Sequence, residues 1–281
     1  MKHDEGQFSA SDGLKLYYQC WRPEETAVRS AIVMLHGDFG HSGYCMNLPL
    51  HEAPRGYAVY AYDRRGWGRS PGPRGYVNKW RENLEDLDEF LKLVRADEAS
   101  RPIFLMGHSG SAVIVLEYAA QHPQALSGVF CISPALNMAA AAPPPLHLLL
   151  HLLSGVWPRL SIDIRRQFDA QATYVSHDPG FVELIRHDPF GNTKVTPRWM
   201  VESDAAMQRV VQQAPDLRVP VMILIGGADK VTGTDAAKAY YQKIVFPDKE
   251  FHQYPGDYTN LLSELNTEEV LNDIDNWLDK H

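Results

Sequence analysis

The sequence predicts an α/β protein with a mostly parallel central sheet, helices on both faces and an inserted helical cap. Three observations carry that prediction. Short, unbroken apolar runs bounded by Gly or Pro recur at residues 31–35, 57–62, 103–106, 128–133 and 219–225, the pattern of strands buried on both faces. Amphipathic or apolar helical patterns alternate with them at residues 79–96, 112–122, 236–244 and 267–279. The alternation then breaks between residue 135 and about residue 205, where a separate helical segment is inserted before the strand at Val219.

Taken in order, residues 15–21 alternate Leu16, Tyr18 and Cys20 with Lys15, Tyr17 and Gln19, which reads as a half-buried strand. It pairs with residues 6–9 across the turn Ser11-Asp12-Gly13. The stretch from Asp63 to Gly75 is a loop full of Gly and Pro. The helix at 79–96 sets Leu84, Leu87, Leu91 and Val94 on one face. Residues 250–254 form a short strand before the last helix. The inserted segment opens with Leu136-Asn-Met, Ala139 to Ala142 and Pro143-Pro-Pro145, then runs into Leu146-His-Leu-Leu-Leu-His-Leu-Leu153. This gives one α/β core from residues 1–134 and 206–281, with residues 135–205 as the cap. The apolar octet has no polar face beyond His147 and His151, so core packing, an acyl-chain groove and a membrane-touching lid all fit it.

Composition narrows the function. At 281 residues and 44% hydrophobic, the chain has ample material for one large core. A net charge of −8 argues against a nucleic-acid surface. Cys20, Cys45 and Cys131 make neither a disulfide framework nor metal spacing, and Cys131 sits in an apolar strand as a small core residue. His147 and His151 stand at i, i+4 without an intervening Glu or a nearby third ligand, so they do not read as a metal site. No Walker loop or G-x-G-x-x-G is present, and no cofactor is expected. The polar start Met1-Lys-His-Asp-Glu-Gly lacks an apolar signal region, and no stretch reaches the ~18–20 apolar residues of a spanning helix. The expectation is a cytoplasmic protein.

The chemistry concentrates at Gly107-His-Ser-Gly-Ser111, between the strand at 103–106 and the helix beginning at Ala112. This is G-x-S-x-G with Ser in place of its last Gly. A strand-to-helix turn this tight excludes large flanking side chains and holds one Ser in a strained conformation, hydroxyl exposed, above a helix N-terminus. Ser109 is the candidate nucleophile, and the small Ser111 still permits the turn.

Four stretches in order carry a resemblance: His36-Gly-Asp-Phe-Gly-His-Ser-Gly43, Asp63-Arg-Arg-Gly-Trp-Gly-Arg-Ser70, Gly107-His-Ser-Gly-Ser111 and Gly226-Gly-Ala-Asp229. With the cap segments Asp188-Pro189 and Lys194-Val-Thr196, the chain resembles the α/β-hydrolase fold, and within it the monoacylglycerol lipase and lysophospholipase branch, often labelled serine aminopeptidase S33-like. The resemblance implies attack by Ser109 on a carboxylic ester with an apolar or lipid-like acyl group. It implies an oxyanion hole from the backbone N–H groups of Gly110 and Asp38, and Asp229 as the acid that orients a His. It also implies a small-molecule lipid-like ligand, with transient membrane contact through the cap left open.

The family places that His in a Gly-x-x-His-Glu pattern after the last strand. Here the stretch reads Gly256-Asp-Tyr-Thr-Asn260, so Thr259 stands at the His position and Asn260 at the Glu position. A Thr hydroxyl cannot take a proton from Ser near neutral pH, whereas an imidazole with a pKa of ~6.5 can. Of the other histidines, His108 is expected to point away from Ser109 into the sheet side. His36 and His41 are expected to be structural, His252 lies too far back on its strand, and His147, His151, His177 and His187 belong to the cap. Asp38 is expected to turn its carboxylate to solvent, where its N–H alone matters. Two readings follow: an ester hydrolase impaired by the missing His or completed by a nonstandard base, and a non-hydrolytic or repurposed protein using the same pocket. Adjacent departures at Thr259 and Asn260 argue against a single His replacement made to trap a ligand.

Overall fold

The computed structural model describes residues 1–137 and 144–281. The first cap residues singled out above, Met138, Ala139 to Ala142 and Pro143, lie outside them. The chain opens with the hairpin β1 (Lys2–Ser9) and β2 (Lys15–Arg22), with Ser9 opposite Lys15. Then follow β3 (Ser30–Leu35), α1 (Asn47–Glu52), β4 (Tyr57–Tyr62), α2 (Arg81–Glu98), β5 (Ile103–His108), α3 (Gly110–Gln121) and β6 (Gly128–Ile132). The inserted region contributes α4 (Pro144–Val156), β7 (Ile162–Asp163), α5 (Arg165–Ala172), α6 (Pro179–His187) and β8 (Lys194–Val195), and leads into α7 (Pro197–Gln213). The chain closes with β9 (Val221–Gly226), α8 (Thr234–Lys243), β10 (Lys249–Tyr254) and α9 (Thr267–Leu278).

Eight strands form one sheet in the order β1-β2-β4-β3-β5-β6-β9-β10. Pairing is antiparallel from β1 to β4 and parallel from β4 to β10. Strand β3 lies between β4 and β5, so the chain leaves β3 to one side and returns on the other. That reversal opens a crevice at the carboxyl ends of β3 and β5, the place where such sheets bind ligands.

The strands are apolar throughout because both faces are covered. Ala31, Val33 and Leu35 of β3 face one core with α2, α3 and α8, while Ile32 and Met34 face a second core with α1 and α9. Strands β5 and β9 divide the same way: Ile103, Leu105, Val221, Ile223 and Ile225 on one side, Phe104, Met106, Met222 and Leu224 on the other. Helix α3 is buried over Gly110–Ala119, held between the sheet and α7, whose Ala206, Met207 and Val210 join the first core. Cys131 is a buried free thiol in that core. Strand β2 departs from the expected half-buried alternation, because Tyr17, Gln19 and Trp21 are buried as well as Leu16 and Cys20. The Arg69 guanidinium covers Tyr17, Ser42 Oγ accepts from Gln19 Nε2 at 2.7 Å, and His3 stacks on Trp21 at 4.9 Å.

Trp277 of α9 is the centre of the second core. It is fully buried and meets Phe104 and Phe130 edge-on, with ring centroids 5.7 and 6.0 Å away. Gly128 at the start of β6 lets the ring approach, since a Cβ there would strike it. Trp277→Ala is expected to lower the unfolding free energy by about 3–5 kcal/mol, read by urea denaturation, with α9 the first element to lose amide-exchange protection.

Candidate active site

Strand β5 ends at His108, and Ser109 follows in a left-handed conformation with φ 52° and ψ −120°. A non-Gly residue held there costs of order 1–3 kcal/mol, so its surroundings must fix it. The Ser109 N–H donates to Ile132 O at the end of β6 at 2.9 Å, and its carbonyl accepts from Ala112 N and Ala135 N at 3.1 and 3.2 Å. Gly107 is required for the tight turn, because a Cβ would lie 2.6 Å from Ala112 Cα. Ser111, where the motif usually has Gly, is wholly buried, and its hydroxyl donates to His36 O at 2.5 Å. The extra hydroxyl thus ties the start of α3 to the end of β3.

The loop after β3 carries His36 to Tyr44. His36 is buried and neutral by construction: Nδ1–H donates to Gly37 O at 2.8 Å and Nε2 accepts from Arg64 N at 3.1 Å. Burial, then the nearby Arg64 charge, holds its pKa well below the usual 6.5. Asp38 does not face solvent as the sequence suggested. Its side chain is 14% exposed, Oδ1 accepts from Arg64 Nη2 at 2.6 Å, and the carboxylate packs on Gly110 so closely that a Cβ there would clash. Arg64 itself is 2% exposed beneath Trp67. A buried guanidinium needs a carboxylate, and among the described residues Asp38 is the one that pairs with it, which is the physical reason it turns inward. Phe39, at φ 69°, packs edge-on against Trp67, Phe168 and Trp199.

The Asp63-Arg64-Arg65 run is structural scaffolding for this loop. Asp63 accepts from Ser42 N and Arg69 N at 2.7 Å each, and Arg65 makes a two-pronged contact with Asp86 at 2.6 Å. On the cap side His41 Nε2 meets Asp188 Oδ2 at 2.7 Å, and Asn192 N donates to Phe39 O at 3.2 Å.

His108 departs from expectation. Its ring lies over Gly37, where a Cβ would come within 2.7 Å of Nδ1, and Nε2 reaches Thr259 O at 3.4 Å. It therefore lines the cavity rather than the sheet, because Gly37 leaves it room. Burial lowers its pKa. Among the described residues it is the one imidazole in the cavity wall. The remaining candidates are engaged elsewhere: His147 with Asp204, His151 with His147 O, His177 with Glu264, His187 with Glu183, and His252 between Glu250 and Asp273. Among the described residues, no imidazole is hydrogen-bonded to the Ser109 hydroxyl.

Asp229 follows β9, and local donors satisfy its carboxylate: Val231 N at 2.7 Å, Thr232 N at 3.0 Å and Thr232 Oγ1 at 2.5 Å. Thr259 and Asn260 follow β10 on a loop held by Glu264, which accepts from Tyr258 N at 2.8 Å and His177 N at 2.9 Å. The Thr259 hydroxyl and the Asn260 side-chain carbonyl are buried and, among the described residues, without partners.

Ser109, Asp38, His108, Thr259 and Asn260 line one cavity of about 350 Å³, roofed by Tyr44, Phe168, Val175, Phe181, Ile185 and Trp199. Lys230 stands at its wall, with Nζ 4.2 Å from the Tyr174 ring centre. Asp229 is adjacent in sequence to this wall but is not part of it. The sequence did not point to Lys230, the Arg64–Asp38 pair or the aromatic roof. An Arg pair in a Gly-rich loop was the one signal for a buried guanidinium.

A serine in a left-handed elbow at the carboxyl edge of a parallel sheet, under a helical cap, defines an α/β-hydrolase. The model of the serine aminopeptidase S33 family matches residues 26–266, and the chain belongs to that family of lipase-like hydrolases. It is 27% identical over 278 residues to a monoacylglycerol lipase of Mycolicibacterium smegmatis, covering 99% of this chain and 97% of the relative. The crystal structure of Paleococcus ferrophilus monoacylglycerol lipase superposes with a TM-score of 0.82 at 26% identity, covering 94% of this chain and 98% of that one. A soluble variant of the Saccharomyces cerevisiae monoglyceride lipase, in complex with a substrate analog, superposes with a TM-score of 0.87 at 24% identity, covering 98% and 94%.

The two buried neutral imidazoles give a pH signature. His36 and His108 both have folded pKa values below that of the unfolded chain, so as pH falls through about 6.5 the unfolded state takes up protons that the native state refuses. Their contribution to stability is present above that pH and is lost below it, at up to about 1.4 kcal/mol per pH unit per residue. Urea unfolding between pH 7.5 and 5 is expected to show a shallower pH slope in His36→Asn than in the wild type.

Proposed function

We propose that this protein acts on a carboxylic ester with an apolar, lipid-like acyl group, at a rate limited by the lack of a histidine base. Ser109 is the nucleophile, the N–H groups of Gly110 and Asp38 receive the developing oxyanion, and Asp229 stands at the acid position. Thr259 stands where the relatives' resemblance calls for His. The observation that carries this reading is the strained Ser109 opening onto a cavity walled by Phe39, Phe168, Phe181 and Trp199. Such a wall suits an acyl chain, and the relatives named as monoacylglycerol lipases support the ester class.

In this reading Ser109 Oγ adds to the ester carbonyl carbon, the alcohol leaves, and water then releases the acid. Each step needs a proton taken from an oxygen nucleophile and delivered to a leaving group. Loss of a catalytic His costs on the order of 10⁶-fold in kcat in a serine protease, with the residual rate coming from the oxyanion hole and binding. The exposed apolar face of α4, with Leu148, Leu152 and Val156 each more than half exposed, suits transient contact of the cap with a lipid surface. No helix of the described residues is long and apolar enough to cross a membrane.

A second reading, binding or altered chemistry in the same cavity, is favoured by one arrangement. The Asp38 carboxylate packs on Gly110, beside the position an oxyanion would take, and its negative charge opposes another there. The two readings separate by experiment. Wild-type protein is expected to label weakly with a fluorophosphonate probe and to turn over p-nitrophenyl butyrate slowly. Thr259→His is expected to raise that turnover by about 10²-fold or more. Rapid wild-type labelling with ordinary ester turnover contradicts the missing-base reading. A Thr259→His variant that binds the ester but gains no activity favours the second reading.

A further inference from the structure

Away from the Ser109 cavity, on the face of the sheet covered by α1 and α9, three side chains with metal-ligating atoms converge. His51 and Glu52 end α1, and Asp275 lies on α9. One ligand atom from each lies within 4.8 Å of the other two. His51 Nε2 meets Asp275 Oδ2 at 2.8 Å, and Arg55 Nε approaches the same oxygen at 3.2 Å. The opposite side of the cluster is unsatisfied. Glu52 is 0% exposed, and among the described residues neither of its carboxylate oxygens has a hydrogen-bond donor other than a proton shared with the Asp275 carboxyl. Asp275 Oδ1 is likewise buried without a donor among the described residues.

A carboxylate removed from water without a partner costs several kcal/mol, so an arrangement like this calls for a bound proton or a cation. We propose that His51, Glu52 and Asp275 form a structural divalent-cation site of the zinc type, clipping α1 to α9. One imidazole nitrogen with two carboxylate oxygens is a donor set that zinc accepts when a water completes the tetrahedron, and the part-exposed His51 and Asp275 leave solvent access for it. Calcium, which takes six to eight oxygens, is not served by it. Zinc bonds of ~2.0–2.2 Å put tetrahedral donors roughly 3.4 Å apart, so modest side-chain rotation closes the present spacing. His51 would exchange its contact with Asp275 for the metal, and Arg55 would keep the outer Asp275 oxygen. The site lies at the end of the helix that follows the oxyanion loop, and it anchors that helix to the last one of the chain.

The test uses the full chain without added histidines, stripped with a chelator and titrated with Zn²⁺ in competition with a chromophoric chelator. One equivalent of Zn²⁺ per chain is expected, with a raised melting temperature. Affinity is expected to fall at least tenfold in His51→Ala and in Glu52→Gln, and to be unchanged in the double variant His147→Ala/His151→Ala. His51 is part exposed, so His51→Ala is expected to retain the fold, which far-ultraviolet circular dichroism checks. No stoichiometric uptake overturns the proposal and leaves Glu52 as a neutral acid sharing its proton with Asp275. Uptake unchanged in His51→Ala, or abolished in the His147→Ala/His151→Ala variant, also overturns it.

Discussion

The backbone strain at Ser109 is the constraint around which this molecule is built. A left-handed serine between β5 and α3 stays in place only because neighbouring backbone grips it from two sides. Ile132 and Ala135 hold its amide and carbonyl, and Gly107 allows α3 to pass close by. The parallel sheet supplies those neighbours by putting the carboxyl ends of β3, β5 and β6 side by side. Ser111 adds a bond to the end of β3 that the usual glycine lacks, so the departure from the motif reinforces the turn.

Electrostatics around the elbow follow from one buried cation. Arg64 sits under Trp67 with almost no exposure; its charge draws Asp38 out of solvent and adds to the burial that lowers the pKa of His36. A loop that supplies backbone donors in this fold therefore also carries a carboxylate against Gly110. The cavity is polar at the Ser109 end and aromatic under the cap.

Much of the fold was legible because each strand is an unbroken apolar run and each helix has a clear face. The parallel strands match the runs at 31–35, 57–62 and 103–106 to within a few residues. Helix α2 begins at Arg81 instead of residue 79, where Glu202 of α7 accepts from Trp80 N at 2.8 Å, a contact between distant segments that periodicity cannot carry. Strand β2 looked half-buried because its alternation is real, yet side chains from the loops and from β1 cover its second face. At the site, Ser109 was readable from a local motif. The directions of His108 and Asp38 were not, because they are set by the space over Gly37 and by a guanidinium 26 residues away.

The ties between the cap and the loop after β3 carry a further consequence. His41 grips Asp188, and the Phe39 carbonyl accepts from Asn192, so the segment that supplies the Asp38 amide is fastened to the roof of the cavity. Any displacement of the roof therefore pulls on the loop that carries Asp38. The cavity roof and the loop that carries Asp38 are thus one hydrogen-bonded unit, and a change in either is felt by the other.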